Sequence, residues 1–112
     1  MKKDNLVYIQ DIIDAIEKIN DYALGMNFET FQSDTLKQDA ILRNFTIIGE
    51  GSSKLSEEFT KQYPKFPIRE AISMRNKVVH DYGNINLDVV WKTVKKDIPE
   101  LYLACKEIIS SQ

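Results

Sequence analysis

Apolar residues recur along this chain at three- and four-residue steps, the spacing that lines one face of an α-helix. Leu6, Ile9, Ile13, Ile16 and Ala23 keep that spacing, and Ile12 and Ile19 widen the stripe. Asp4 suits the N-cap of this first helix, which should end near Gly25. A second helix is predicted to start around Ser33 or Asp34, with Leu36, Ala40, Ile41, Ile47, Ile48 and Leu55 on one face. Asn44 falls on that face where an apolar residue is expected, and Gly49 and Gly51 weaken the helix while permitting a close neighbour. Ser56-Glu57-Glu58 reads as a cap and acidic first turn of a short helix that Pro64 ends. Pro67 suits the first turn of a third helix, Ile68 to about Tyr82, stopped by Gly83-Asn84. Asn86 can cap a fourth, striped by Leu87, Val90, Trp91, Val94, Ile98, Leu101, Cys105 and Ile108. Pro99 should kink or restart it, with Asp97 and Glu100 placed as a capping box. No segment alternates with period two. The expected fold is all-α: an antiparallel up-and-down bundle of four long helices plus a short one.

Composition narrows the function. A chain of 112 residues has room for one core, so residues 1–112 are expected to form a single domain. No apolar run approaches the roughly 20 residues that a membrane-spanning helix needs. The amino terminus has two lysines but no apolar run to make a secretory signal. One cysteine, Cys105, offers neither an internal disulfide nor a cysteine-based zinc cluster, which suits a reducing cytoplasm. With one histidine, no transition-metal site is expected, and there is no Gly-rich phosphate loop. No cofactor is expected. The net charge of −2 means that any nucleic-acid contact must come from a local patch.

The third helix carries the candidate chemistry. Its inward stripe of Ile68, Ala71 and Ile72 continues to Arg75, Val78, Val79 and Tyr82. Asn76 and His80, four apart, form a parallel line about 100° round the helix. Structural roles are open for each: Arg75 as an interhelical partner of Glu50 or Asp97, Tyr82 as a packed helix-end aromatic, His80 as a surface residue. Asn44 could bond backbone or water in the core. Cys105 and Trp91 read as core, and Lys92, Lys95 and Lys96 as a solvated face.

The string Arg75-Asn76-Lys77-Val78-Val79-His80-Asp81-Tyr82, R-x4-H-x-Y, resembles the signature of the HepT-like toxins, a branch of the all-helical HEPN ribonucleases. Gln38 to Phe45 leading to Ile48-Gly49-Glu50 resembles the family's second helix. Leu87 to Trp91 and Asp97 to Leu101 resemble its last. Ile68 stands where members often have an aromatic residue, and Gly51-Ser52-Ser53 where an alanine-rich turn is usual.

The resemblance implies metal-independent cleavage of RNA, in which the substrate's 2′-hydroxyl attacks the adjacent phosphate. Such a reaction needs a base, an acid and positive charge facing the phosphorane. His80 is the one side chain whose unperturbed pKa lies near neutrality, and a helix C-terminus would favour its protonated form. Arg75 offers a donor fork matched to phosphate oxygens. Asn76 would orient the imidazole or bind phosphate, and Tyr82 would position a group beside it. The resemblance further implies a homodimer with two motifs facing one cleft. It also implies a minimal nucleotidyltransferase antitoxin that transfers AMP to the motif tyrosine, here Tyr82. The alternative reading is a non-catalytic HEPN subunit that binds such a nucleotidyltransferase; a plain helical dimer is a third.

Overall fold

The structure, a computed structural model, describes residues 3–77 and 85–112. Helix α1 (Lys3–Ala23) contributes the fully buried Ile9, Ile12, Ile16 and Ile19. It ends at Gly25, whose φ of 76° is the left-handed conformation that closes helices. Asp4 lies inside the first turn of α1, one residue after Lys3, where a carboxylate opposes the helix dipole. The neighbouring Asn5 is buried and serves the chain elsewhere: its Nδ2 donates to Ser56 Oγ at 3.0 Å, and Ser56 N donates to its Oδ1 at 3.2 Å.

A short α2 (Phe28–Gln32), absent from the sequence expectation, follows α1. Asn27 and Thr30 form a reciprocal capping box that holds it, and Phe31 is driven fully into the core. Helix α3 (Thr35–Ser53) starts as expected, with Asp34 Oδ1 accepting from Lys37 N at 3.0 Å. Its buried arc runs through Ile41, Leu42, Asn44, Phe45, Ile48, Gly49, Gly51 and Ser52. Leu36, expected on that arc, is 79% exposed. It stands nine residues before Phe45, which at 100° per residue puts it on the opposite side of the helix. Helix α4 (Glu57–Gln62) is capped by Ser56 and stops two residues before Pro64.

Helix α5 (Ile68–Ser73) tightens at its end into a 3₁₀ turn, Met74–Lys77. Residues three apart eclipse in such a turn, so Met74 follows Ala71 into the core and is 1% exposed. Arg75, expected on the inward stripe, is therefore exposed. The expected continuation of this helix to Tyr82, and the stop at Gly83-Asn84, lie outside the described residues.

The last long helix comprises α6 (Leu87–Lys92), a π turn (Thr93–Asp97) and α7 (Ile98–Ser110). Asn86 caps it as expected, accepting from Val89 N at 3.2 Å. The expected capping box at Asp97 is not formed: Asp97 is helical and makes no side-chain cap bond. Instead the helix widens, with Ile98 N bonded to Thr93 O. Widening accommodates Pro99, whose ring has no N–H and crowds the preceding turn. Val90, Val94, Ile98, Leu101, Cys105 and Ile108 stay buried across the junction. Tyr102 on α7 donates to Glu17 Oε2 on α1 at 3.2 Å, an exposed bond that raises the phenol's pKa above its usual value.

With α3 packed between α1 and α5, and α7 closing against α1, the molecule is an all-α bundle of four long helices. Two short helices, α2 and α4, complete it, and the described residues include no strand. No described helix is long and apolar enough to cross a membrane.

Candidate active site

Gly49 fixes where the site begins. A Cβ placed there would lie 2.6 Å from Arg75 Cβ, 2.8 Å from Arg75 N and 2.9 Å from Ile72 O. All are closer than real Cβ contacts allow, so α3 and the 3₁₀ turn touch backbone to backbone at this point. A glycine is needed because no side chain fits. The contact holds the base of Arg75 rigidly while leaving its guanidinium on the surface. Among the described residues no ion pair engages Arg75, so neither Glu50 nor Asp97 neutralises it. Asn76 is exposed on the same turn. The two described members of the motif are thus presented outward, on a turn anchored from beneath by Met74 and Gly49.

With no ion-pair partner among the described residues, the Arg75 guanidinium offers a fork of donors suited to an anion. The surface near it is uneven in charge. A crevice beside Met74 is lined by Pro67, Ala71 and Leu101 with Glu70, Asp97 and Glu100. Three carboxylates there would repel a phosphate, so a polyanion reaching Arg75 is favoured from the other side of the turn. Among the described residues, no group of three or more His, Cys, Asp or Glu could hold a metal ion.

His80 and Tyr82 lie outside the described residues, so Arg75 and Asn76 are the part of the motif whose placement is described. Asn44 is buried in α3, where its Nδ2 donates to Ala40 O at 2.9 Å. Its Oδ1 has no partner among the described residues. Cys105 is fully buried, and burial pushes its thiol up to about 12, which makes it a packing residue and a poor nucleophile. Sequence reading gave Gly49 a general role in close approach; that its neighbour is Arg75 could be seen only in three dimensions.

Comparisons with known proteins identify the family. The family described as "Ribonuclease HepT-like" matches residues 12–108. A protein of Thermococcus cleftensis named as a probable ribonuclease HepT is 41% identical over 101 residues, covering 90% of this chain and 92% of its own. A relative from Caldanaerobacter subterraneus subsp. tengcongensis, provisionally named an RNase, is 34% identical and covers 94% of each chain. Another from Methanocaldococcus jannaschii, also provisionally named an RNase, is 32% identical, covering 96% of this chain and 89% of its own. No solved structure gives a significant match. By its sequence and its helical bundle, the chain belongs to the HepT-like ribonuclease family.

Proposed function

We propose that this chain is the toxin of a toxin–antitoxin pair, a metal-independent endoribonuclease whose R-x4-H-x-Y motif works in a homodimer cleft. The observation that carries this reading is Arg75: exposed, without an ion-pair partner among the described residues, and seated backbone to backbone on Gly49 at the start of the motif. Arg75 binds the scissile phosphate and stabilises charge on the phosphorane. His80 protonates the leaving 5′-oxygen, while Asn76 orients the imidazole or the phosphate. In-line displacement places attacking and leaving oxygens on opposite sides of phosphorus, so one histidine cannot serve both. Two chains supply two histidines. AMP added to Tyr82 by a minimal nucleotidyltransferase would set negative phosphates beside Arg75 and His80 and exclude RNA. An RNA substrate and an ATP-using partner fit work in the cytoplasm.

The test is purified protein with RNA in EDTA. Cleavage should persist, and both His80→Ala and Arg75→Ala should lower its rate by about 100-fold or more without loss of helical content. Activity abolished by EDTA and restored by magnesium would refute the mechanism. RNA left intact by wild-type protein would favour the non-catalytic nucleotidyltransferase-binding subunit.

A further inference from the structure

We propose that the Trp91 ring, with Lys95 beside it and Lys96 next along the same turn, is a docking surface for single-stranded RNA flanking the bond to be cut. The proposal rests on the ribonuclease reading above and adds to it a place for the substrate outside the motif.

Trp91 is not the plain core residue that its position in the apolar stripe suggests. It is partly exposed on α6, and its ring stacks on Phe31 with centroids 5.1 Å apart and planes 29° from parallel. Phe31 is fully buried, so one face of the indole rests on a rigid support. Lys95 Nζ lies 5.3 Å from the ring centroid, and Lys95 is itself exposed. A partly exposed aromatic ring supported from behind and met by an ammonium group is the arrangement that binds single strands: the base stacks and the phosphate meets the cation.

The lysines support this. Lys95 and Lys96 both belong to the π turn, Thr93–Asp97, and both are exposed. Among the described residues neither takes part in an ion pair, whereas Lys92 is engaged by Asp88 at 3.9 Å. On a chain of net charge −2, two neighbouring lysines with no ion-pair partner among the described residues, one of them against an aromatic ring, are a local exception to the overall field. The ring is also close to the motif along the chain. From Ile85 to Leu87 the chain spans at most about 7 Å, and from Leu87 to Trp91 it climbs about 6 Å of helix. From His80 to Ile85 it spans at most about 17 Å even if fully extended. The ring therefore lies within a few nucleotides' reach of the catalytic histidine.

Trp91 is the only tryptophan, so its emission reports on this surface alone. The full chain is titrated with a short 2′-O-methyl oligouridylate, which has no 2′-hydroxyl nucleophile and cannot be cleaved. Binding should change Trp91 emission. Lys95→Glu combined with Lys96→Glu, both on the surface, should weaken binding about tenfold and make the log–log salt slope shallower by about 1.4 for two lost phosphate contacts. The same double variant should cleave the dinucleotide uridylyl-adenosine as wild type does, while its KM for long RNA rises. Oligonucleotide binding that leaves Trp91 emission unchanged, or that is as tight in the double variant, overturns the proposal. Uridylyl-adenosine cleavage in that case leaves the ribonuclease reading standing. Emission that shifts with protein concentration and not with RNA would mean that a second copy covers the ring, and would also overturn it. Protein that neither binds the oligonucleotide nor cleaves RNA of any length fails the ribonuclease reading itself, and this proposal with it.

Discussion

Gly49 and Gly51 stand two residues apart in one helix and answer the same substitution in opposite ways. A Cβ at Gly51 would meet Ile12 Cγ1 at 3.4 Å, an ordinary contact, so Gly51→Ala should stabilise the protein by up to about 1 kcal/mol through helix propensity. At Gly49 the new Cβ meets the Arg75 backbone, which cannot turn aside. Gly49→Ala should cost about 1–3 kcal/mol in thermal unfolding. It should also lower RNA cleavage by up to about 100-fold, since a reacting group displaced by an ångström loses that much. Activity that falls no further than the folded fraction would deny Gly49 any part in placing Arg75. Tyr82 belongs to the same scale. Co-expression with a cognate nucleotidyltransferase should add one or more AMP masses, abolished in Tyr82→Phe. A modification mapped by mass spectrometry to Tyr8, Tyr22, Tyr63 or Tyr102 would reassign the acceptor. Of these residues the sequence showed the types and spacing. It could not show that Arg75 faces outward, because that depends on a 3₁₀ turn that rotates Met74 inward in its place.

Among the elements, α7 carries a buried thiol, and Cys105 reports on how well the helix is sealed. The folded chain holds the thiol proton up to about 12, against 9.0 for a free thiol. Between those values the unfolded chain releases a proton that the folded chain retains, so stability falls as pH rises through that window. The loss should reach about 1.4 kcal/mol per pH unit relative to Cys105→Ala, measured by urea unfolding. At pH 8 a thiol reagent should label native protein only as fast as α7 opens, and burst labelling would show that the helix does not seal the thiol. The elements themselves were largely legible: caps at Asp34, Ser56 and Asn86, the end at Gly25 and the apolar stripe of α7 all stand where pattern and capping chemistry put them. The misses have physical causes. Helix α2 is too short to show periodicity and exists through its Asn27–Thr30 capping box and Phe31 anchor. At Asp97 the proline was resolved by widening the helix, and tertiary burial of Ile98 and Leu101 held the two halves together.

For the molecule as a whole, one histidine per chain sets the strongest expectation. The active form should be a homodimer by light scattering, and adding excess His80→Ala chains to wild type should lower cleavage by more than dilution explains, because each mixed dimer holds a single histidine. A stable monomer that cleaves RNA at the full rate would end the composite-site argument. The π turn also governs how the molecule can vary. One extra residue in a helical turn shifts everything before it by about 100° relative to everything after it. Thr93–Asp97 therefore works as a phase joint between the half of the helix that leaves the motif and the half that closes the core. Removing one residue there would take away the widening that accommodates Pro99 and, with Leu101 and Cys105 kept in place, would swing Val90 out of the core and Trp91 off Phe31. The end of the helix nearest the motif is in this sense locked in phase with the core, so a single-residue insertion or deletion at the turn is felt by both.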